Sequence, residues 1–142
     1  MICDNIGINK LGNLTFAGQD TTELAEKYST PLYLIDEGKI REKMRIYVEA
    51  MNKNFPEGSM PLYASKALCF KKIYTIAAEE NMGIDVVSSG ELFTAVKAGF
   101  PMEKVFFHGN NKTDADIEFA VENGIGYFIC DNLFELEAID EI

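Results

Sequence analysis

Short apolar runs alternate with stretches of helical periodicity from Leu32 to the end of the chain, and this rhythm constrains the fold more than any other feature. Five such runs occur: Leu32–Ile35, Pro61–Ser65, Ile84–Val87, Val105–Phe107 and Tyr127–Cys130. Segments such as KVFF and YFIC are largely apolar, as expected of strands buried on both faces. Strand–helix units joined by short loops predict an α/β fold with a parallel sheet.

Residues that favour helix ends separate these runs. Helices are expected from Asp36 as a cap to about Asn54, over residues 70–81 and 90–98, from Thr113 or Asp114 to Val121, and from Asp131 or Asn132 to Ile142. Periodicity alone leaves two architectures open, an open doubly wound sheet and part of a (β/α)₈ barrel.

The first thirty residues have a different pattern. Residues 6–16 alternate loosely, which indicates a strand or a hairpin that turns at Gly12–Asn13. Asp20 or Thr21 is then expected to cap a helix that ends before Pro31, because the residue before a proline is disfavoured in the α region.

Composition narrows the class of partner. The 142 residues include 23 acidic and 13 basic side chains, a net charge of -10, which argues against a nucleic-acid or anionic-membrane partner. A phosphate ligand stays possible, because backbone N–H groups can bind it on an acidic protein. Cys3, Cys69 and Cys130 lack metal-like spacing and indicate free thiols, with Cys69 and Cys130 expected in packing roles. Without a signal-peptide pattern or an apolar run of membrane length, a cytoplasmic location is expected.

Lys66 stands where the second apolar run ends, directly after Leu62, Tyr63 and Ala64. Asp85 and His108, the only histidine, stand near or at the ends of two further runs. Carboxyl ends of parallel strands meet at one edge, where α/β barrels keep their chemistry, so the three side chains are expected on one edge. A lysine there can form a Schiff base with a carbonyl compound, although a solvated surface lysine is the commoner case.

Three strings carry a resemblance to a known family: YASKA, GIDVVSSGELFTAVKAGF and FFHGNNKTDADIEFAVENGIGYFICDNLFELEAI. Together they resemble the lysine segment of the pyridoxal-phosphate decarboxylases of alanine-racemase type, fold type III. The resemblance extends from Pro31 to the end and, more weakly, over the first thirty residues. It implies a (β/α)₈ barrel joined to a β-domain. On this basis residues 1–30 belong with the β-domain, and residues 31–142 form about the first five units of a truncated barrel.

The resemblance also implies a cofactor and a reaction. Lys66 is expected to hold pyridoxal 5'-phosphate, and Ala64, Asp85 and His108 are expected to lie around it. The most similar members decarboxylate meso-2,6-diaminopimelate to L-lysine and CO₂. Relatives acting on ornithine, arginine or carboxynorspermidine, and a non-catalytic half-barrel that binds a cofactor or partner, are the alternatives. No metal site is predicted.

The family's other functional segments have no counterpart in this sequence. They are a later histidine, a glycine-rich phosphate loop, the carboxylate that partners the pyridine nitrogen, the substrate-binding arginine and tyrosine, and a cysteine from the partner subunit. Ser88–Ser89 is therefore expected to cap a helix and not to bind phosphate. A homodimer, or association with the missing half of the barrel, is expected. The chain alone should be inactive and should expose interior residues, namely Leu34, Val86, Phe106 and Ile129.

Overall fold

The computed structural model describes residues 3–142, which form two compact units, one up to Lys43 and the other Met44–Ile142. In the first unit, three short strands form an antiparallel sheet: β1 (Ile6–Ile8), β2 (Leu14–Phe16) and β3 (Gln19–Asp20). The predicted hairpin is confirmed, with Gly12 at a positive φ of 83° in the connection between β1 and β2. Helix α1 (Thr21–Tyr28) follows, and its N-cap is Asp20, as predicted.

The prediction of a strand at Leu32–Ile35 is wrong. Residues 32–36 have no regular secondary structure, and Tyr33 is 92% exposed. An apolar run indicates a tendency to be buried, whereas a strand also needs a neighbour for its backbone hydrogen bonds. The sheet of the second unit therefore contains four strands among the described residues, where five were expected.

Four parallel strands form the second sheet in sequence order: β4 (Leu62–Ala64), β5 (Gly83–Val86), β6 (Val105–Phe107) and β7 (Tyr127–Phe128). The helices are α2 (Glu37–Asn54), α3 (Lys71–Glu79), α4 (Ser89–Ala98), α5 (Asp114–Glu122) and α6 (Leu133–Glu141). The predicted parallel α/β arrangement is confirmed, and each of these helices begins and ends within about two residues of its expected bounds.

One face of this sheet is closed by helices. Ile84, Val86, Val105 and Phe107 are at most 1% exposed, and they share the core with buried residues of α3, α4 and α5. Burying a side chain of this size stabilises the folded chain by roughly 1.5–3 kcal/mol. The expectation that Val86 belongs to an uncovered interior is wrong, because successive strand residues point to opposite faces and Asp85 occupies the other face.

The opposite face of the sheet is partly exposed. Strand register places Asp85 beside Phe106, and Phe106 beside Tyr127. The Phe106 and Tyr127 rings stack with their centroids 4.2 Å apart, and Tyr127 remains 52% exposed. Ile129, just beyond β7, is 38% exposed, which agrees with the expectation for this residue, whereas Phe106 is half-buried.

Candidate active site

Lys66 lies in a short 3₁₀ turn, Ser65–Ala67, that directly follows β4. Two hydrogen bonds hold the turn: the Leu68 N–H donates to the Ser65 carbonyl at 3.2 Å, and the Tyr63 hydroxyl donates to the Leu68 carbonyl at 2.9 Å. Lys66 is exposed, and within residues 3–142 its ammonium group has no hydrogen-bond or ion-pair partner. The turn is thus anchored at both sides, while the amine stays accessible at the carboxyl edge of the sheet.

A buried phenol supports this turn. Tyr74 of α3 is completely buried, and its hydroxyl lies 3.3 Å from the sulfur of Cys69, three residues beyond Lys66. Burial, with the Cys69 contact, raises the pKa of Tyr74 well above its usual range, so the phenol keeps its proton. Cys69 and Cys130 are exposed, so the prediction that they are packing residues is wrong, but both thiols and that of Cys3 are free, as predicted.

Asp85 and His108 meet at the same edge. Asp85 pairs with Ala64 of β4 in the strand register, and the His108 N–H extends the β5–β6 pairing by donating to the Val86 carbonyl at 2.9 Å. The His108 Nδ1 lies 3.8 Å from the Asp85 carboxylate, and its Nε2 lies 3.9 Å from the carboxylate of Asp131. These distances are too long for hydrogen bonds, and they correspond to ionic contacts when the ring is protonated.

In the sequence, Asp131 was considered only as the start of a helix and was missed as a residue of the site. It follows the fifth apolar run directly, just as His108 follows the fourth, so the strand-end rule that singled out Asp85 and His108 also applies to it. The imidazole of His108, 48% exposed, therefore lies between two carboxylates that belong to the strand ends on either side.

A second missed feature is a buried ion pair beside this edge, between a loop lysine and a glutamate of α6. The Lys112 side chain is 1% exposed, and its ammonium group forms an ion pair with Glu135 of α6, whose side chain is 8% exposed. Burial alone would raise the pKa of Glu135, but hydrogen bonds from Lys112 and from the Asp131 N–H outweigh burial and hold it below its usual value. No local pattern marks this pair, because its members lie 23 residues apart.

The helices that follow β5 and β6 are capped at their N-termini, near the carboxyl edge of the sheet. The Ser88 side chain accepts a hydrogen bond from the Glu91 N–H at 3.3 Å, which caps α4, and Glu91 accepts from the Val87 N–H at 2.7 Å. The cap predicted at Ser88–Ser89 is thus confirmed at Ser88. A capping box joins Thr113 to Asp116 at the start of α5.

A polar pocket lies beside the segments that follow β5 and β6. It has a volume of about 340 Å³ and is lined by Val87, Phe107, Gly109, Asn110, Asn111, Lys112 and Asp116. Burial would raise the pKa of Asp116, but hydrogen bonds from Thr113 and Ser89 hold it below the usual range.

In residues 3–142 the His, Cys, Asp and Glu side chains form no group of three that could hold a metal ion. Among the same residues, every helix is too short or too polar to span a bilayer.

An α/β domain with a strand-end lysine is compatible with the class of domains that bind a carbonyl cofactor through a Schiff base, and the comparison with known families specifies the class. Residues 37–142 match the family described as pyridoxal-dependent decarboxylase, pyridoxal binding domain. The match covers more than half of the chain, and the chain belongs to this family.

Individual relatives agree with the family match. The diaminopimelate decarboxylase of Bacillus methanolicus is 45% identical over 135 residues, which are 95% of this chain and 31% of that protein. That of Staphylococcus aureus is 44% identical over 132 residues, or 93% of this chain and 31% of that protein. This chain therefore spans about a third of the length of the curated relatives that it matches.

Solved structures show the same fold. The diaminopimelate decarboxylase of M. jannaschii in complex with L-lysine matches with a TM-score of 0.86 and 36% identity, over 97% of this chain and 32% of that one. A lysine/ornithine decarboxylase from Vibrio vulnificus in complex with putrescine matches with a TM-score of 0.71 and 28% identity, over 85% of this chain and 32% of that one.

Proposed function

We propose that this chain is the pyridoxal-phosphate-binding part of a decarboxylase that converts meso-2,6-diaminopimelate to L-lysine and CO₂. The observation that carries the proposal is Lys66 itself, an accessible amine in an anchored turn at the carboxyl edge of a parallel sheet. The substrate is supported by curated relatives of 44–45% identity that are named diaminopimelate decarboxylases. Among solved structures, identity is 36% to a diaminopimelate decarboxylase and 28% to the lysine/ornithine decarboxylase.

The domain arrangement is part of this proposal. Residues 31–142 would form the first part of a (β/α)₈ barrel, and residues 1–30 would belong with a β-domain. Four parallel strands in sequence order, with helices on one face, support the barrel assignment. The partly exposed opposite face, which includes Phe106 and Tyr127, would line the barrel interior. Association with a second copy or with further barrel strands would cover it.

The residues at the edge fit the cofactor. Its aldehyde needs an amine, and the ammonium group of Lys66 is not engaged by any other described residue. The half-buried Ala64 directly precedes the turn, and its side chain is only a methyl group. When bound, pyridoxal phosphate withdraws electrons from the α-carbon of an amino acid as CO₂ leaves.

The protein's own groups would then hold charge and protons. Asp85 places a carboxyl group on the strand adjacent to the Lys66 turn, and a carboxylate favours a protonated nitrogen nearby. The His108 ring lies between the carboxylates of Asp85 and Asp131, and an imidazole can donate or accept a proton at either nitrogen. In this assignment Lys66 is catalytic and holds the cofactor, and Ala64, Asp85 and His108 line its site.

The test measures substrate preference and dependence on Lys66 together. The purified product of the source gene, supplied with pyridoxal phosphate, is assayed for CO₂ release from meso-diaminopimelate, L-ornithine and L-arginine. We expect turnover of diaminopimelate and its loss in Lys66→Ala, with no comparable loss in Lys71→Ala, an exposed lysine at the start of α3. A preference for ornithine or arginine would contradict the substrate, and an active Lys66→Ala variant would contradict the site.

A further inference from the structure

Lys112 has an unusual position for a lysine. It follows β6 by five residues, and its side chain is almost fully buried at 1% exposure. The ammonium group donates to the Gly109 carbonyl at 2.6 Å, to the Ile129 carbonyl at 3.0 Å, and to the Glu135 carboxylate. An ammonium group has three donors, and each one is used here. Lys112 thus connects the loop that follows His108 to the segment that follows β7.

Glu135 in turn contacts Asp131, the residue next to His108 in space. Its second carboxylate oxygen accepts a hydrogen bond from the Asp131 N–H at 2.8 Å, and its own N–H donates to the Asn132 side chain at 2.9 Å. These bonds fix the backbone at Asp131, whose side chain lies 3.9 Å from the His108 Nε2. A continuous chain of contacts therefore runs from Lys112 through Glu135 and Asp131 to His108.

We propose that Lys112 is a positioning residue for His108 and acts on it through Glu135 and Asp131. The inference rests on the proposed function, because His108 is one of the residues proposed to line the cofactor site. It assigns a task to an ion pair that lies outside that site. In this proposal Lys112 does not act on His108 by direct contact, and its contribution is the fixed placement of Asp131 through Glu135.

Stability alone is a poor reason for such a pair. Taking two charges out of water costs so much that apolar residues of similar size often replace a buried ion pair without loss of stability. An apolar pair, however, cannot bind the carbonyls of Gly109 and Ile129 or the Asp131 N–H. What the charged pair provides beyond packing is the fixed geometry of the two loops on either side of His108.

The sequence offers a clean probe, because His108 is the only histidine. With ring-labelled histidine, the spectrum of the 142-residue chain contains the signals of one imidazole, and they report its surroundings without any cofactor. The test measures how far Asp131→Asn moves these signals in the wild-type chain and in the double variant Lys112→Met with Glu135→Met. The double variant removes both buried charges together, and so it avoids leaving one of them unpaired.

We expect the double variant to weaken the influence of Asp131 on His108. Asp131→Asn should move the His108 signals clearly in the wild-type chain, and its effect should fall by about threefold or more in the double variant, because neighbouring residues in one network act non-additively. An equal effect of Asp131→Asn in both backgrounds would overturn the proposal, since Lys112 would then serve packing only.

A control is available in another ion pair of the same unit, in which the acidic partner is equally buried and the side chain of the basic partner, Arg45, is 59% exposed. Arg45 of α2 binds Glu80, at the end of α3, at 2.6 Å, and the Glu80 side chain is as buried as that of Glu135, with 8% exposure. In the variant Arg45→Met with Glu80→Met, Asp131→Asn should move the His108 signals as far as in the wild-type chain. A reduced effect in this control would also overturn the proposal, because the change would then be a general response to lost ion pairs.

Circular dichroism establishes that each variant is folded. If the double variant unfolds, Glu135→Gln takes its place, because it keeps the size of the side chain and removes the carboxylate that serves both Lys112 and the Asp131 N–H. A smaller effect of Asp131→Asn in that background supports the proposal, and an unchanged effect overturns it. Since no cofactor is present, this outcome is independent of cofactor attachment at Lys66, which tests the proposed function separately.

Discussion

Replacing Gly126 by alanine should destabilise the chain through one steric contact. Gly126 directly precedes β7, and its N–H donates to the Met102 carbonyl at 2.9 Å. A β-carbon at this position would lie 2.2 Å from the Glu103 carbonyl oxygen and 2.8 Å from the Glu103 carbonyl carbon. Both atoms belong to the backbone, so a side-chain rotation cannot relieve the contact.

The size of the effect follows from the displacement. Close contacts between carbon and carbonyl oxygen are roughly 3.3 Å long, so the start of β7 and the Met102–Lys104 turn must separate by about 1 Å. Overpacking of this kind costs roughly 1–3 kcal/mol, and the strained Gly126–Met102 hydrogen bond adds about 1 kcal/mol. We therefore expect the free energy of unfolding to fall by about 2–4 kcal/mol.

Urea denaturation followed by circular dichroism measures this change, with Gly90→Ala as the control. Gly90 lies in α4, and a β-carbon there would approach only the Ser88 hydroxyl oxygen, at 3.9 Å. Because alanine favours a helix over glycine, Gly90→Ala should be neutral or stabilising by up to about 1 kcal/mol. A Gly126→Ala variant within about 0.5 kcal/mol of the wild type, the usual range of harmless surface changes, would refute the reasoning.

Three further changes test separate parts of the structure. Thr113→Ala removes the capping box with Asp116 and should lower the free energy of unfolding by about 1 kcal/mol in urea; no change would argue against the cap. Tyr74→Phe removes the buried hydroxyl beside Cys69 and should cost roughly 1 kcal/mol in the same assay; a gain in stability would contradict the contact. The pKa of Glu135 lies below its usual value of 4.5 in the folded chain, so its stabilising contribution is complete above that pH and is lost as the pH falls through the lowered value. Glu135→Gln should flatten this acidic limb of the stability profile, and an unchanged limb would show that Glu135 does not cause it.

Elements with strong local signals were predictable from the sequence. Val105–Phe107 forms β6 with the predicted bounds, because a short apolar run between a turn and a helix cap leaves few alternatives. Asp20 and Thr113 cap helices as expected, since their side chains bind N–H groups only two or three residues away. The parallel order of the sheet follows from strands connected by helices.

Features that depend on distant partners were not predictable. The run at Leu32–Ile35 has strand-like composition, but composition does not reveal whether a neighbouring strand is present. Lys112 looks like an ordinary loop lysine in the sequence, and only the folded chain shows its buried contact with Glu135. The side of the sheet on which Val86 lies, in contrast, could have been predicted. Side chains alternate strictly along a strand, so Val86 lies on the face opposite to Asp85.

The most direct test of the central claim is the site at which the cofactor attaches. The purified protein is incubated with pyridoxal phosphate and reduced with borohydride, and the modified lysine is identified by peptide mapping. We predict that the label concentrates on Lys66, that it is lost in Lys66→Ala, and that it persists in Lys71→Ala, an exposed lysine five residues away. Label spread evenly over the exposed lysines, or unchanged in Lys66→Ala, would contradict the assignment of Lys66 as the cofactor-binding residue.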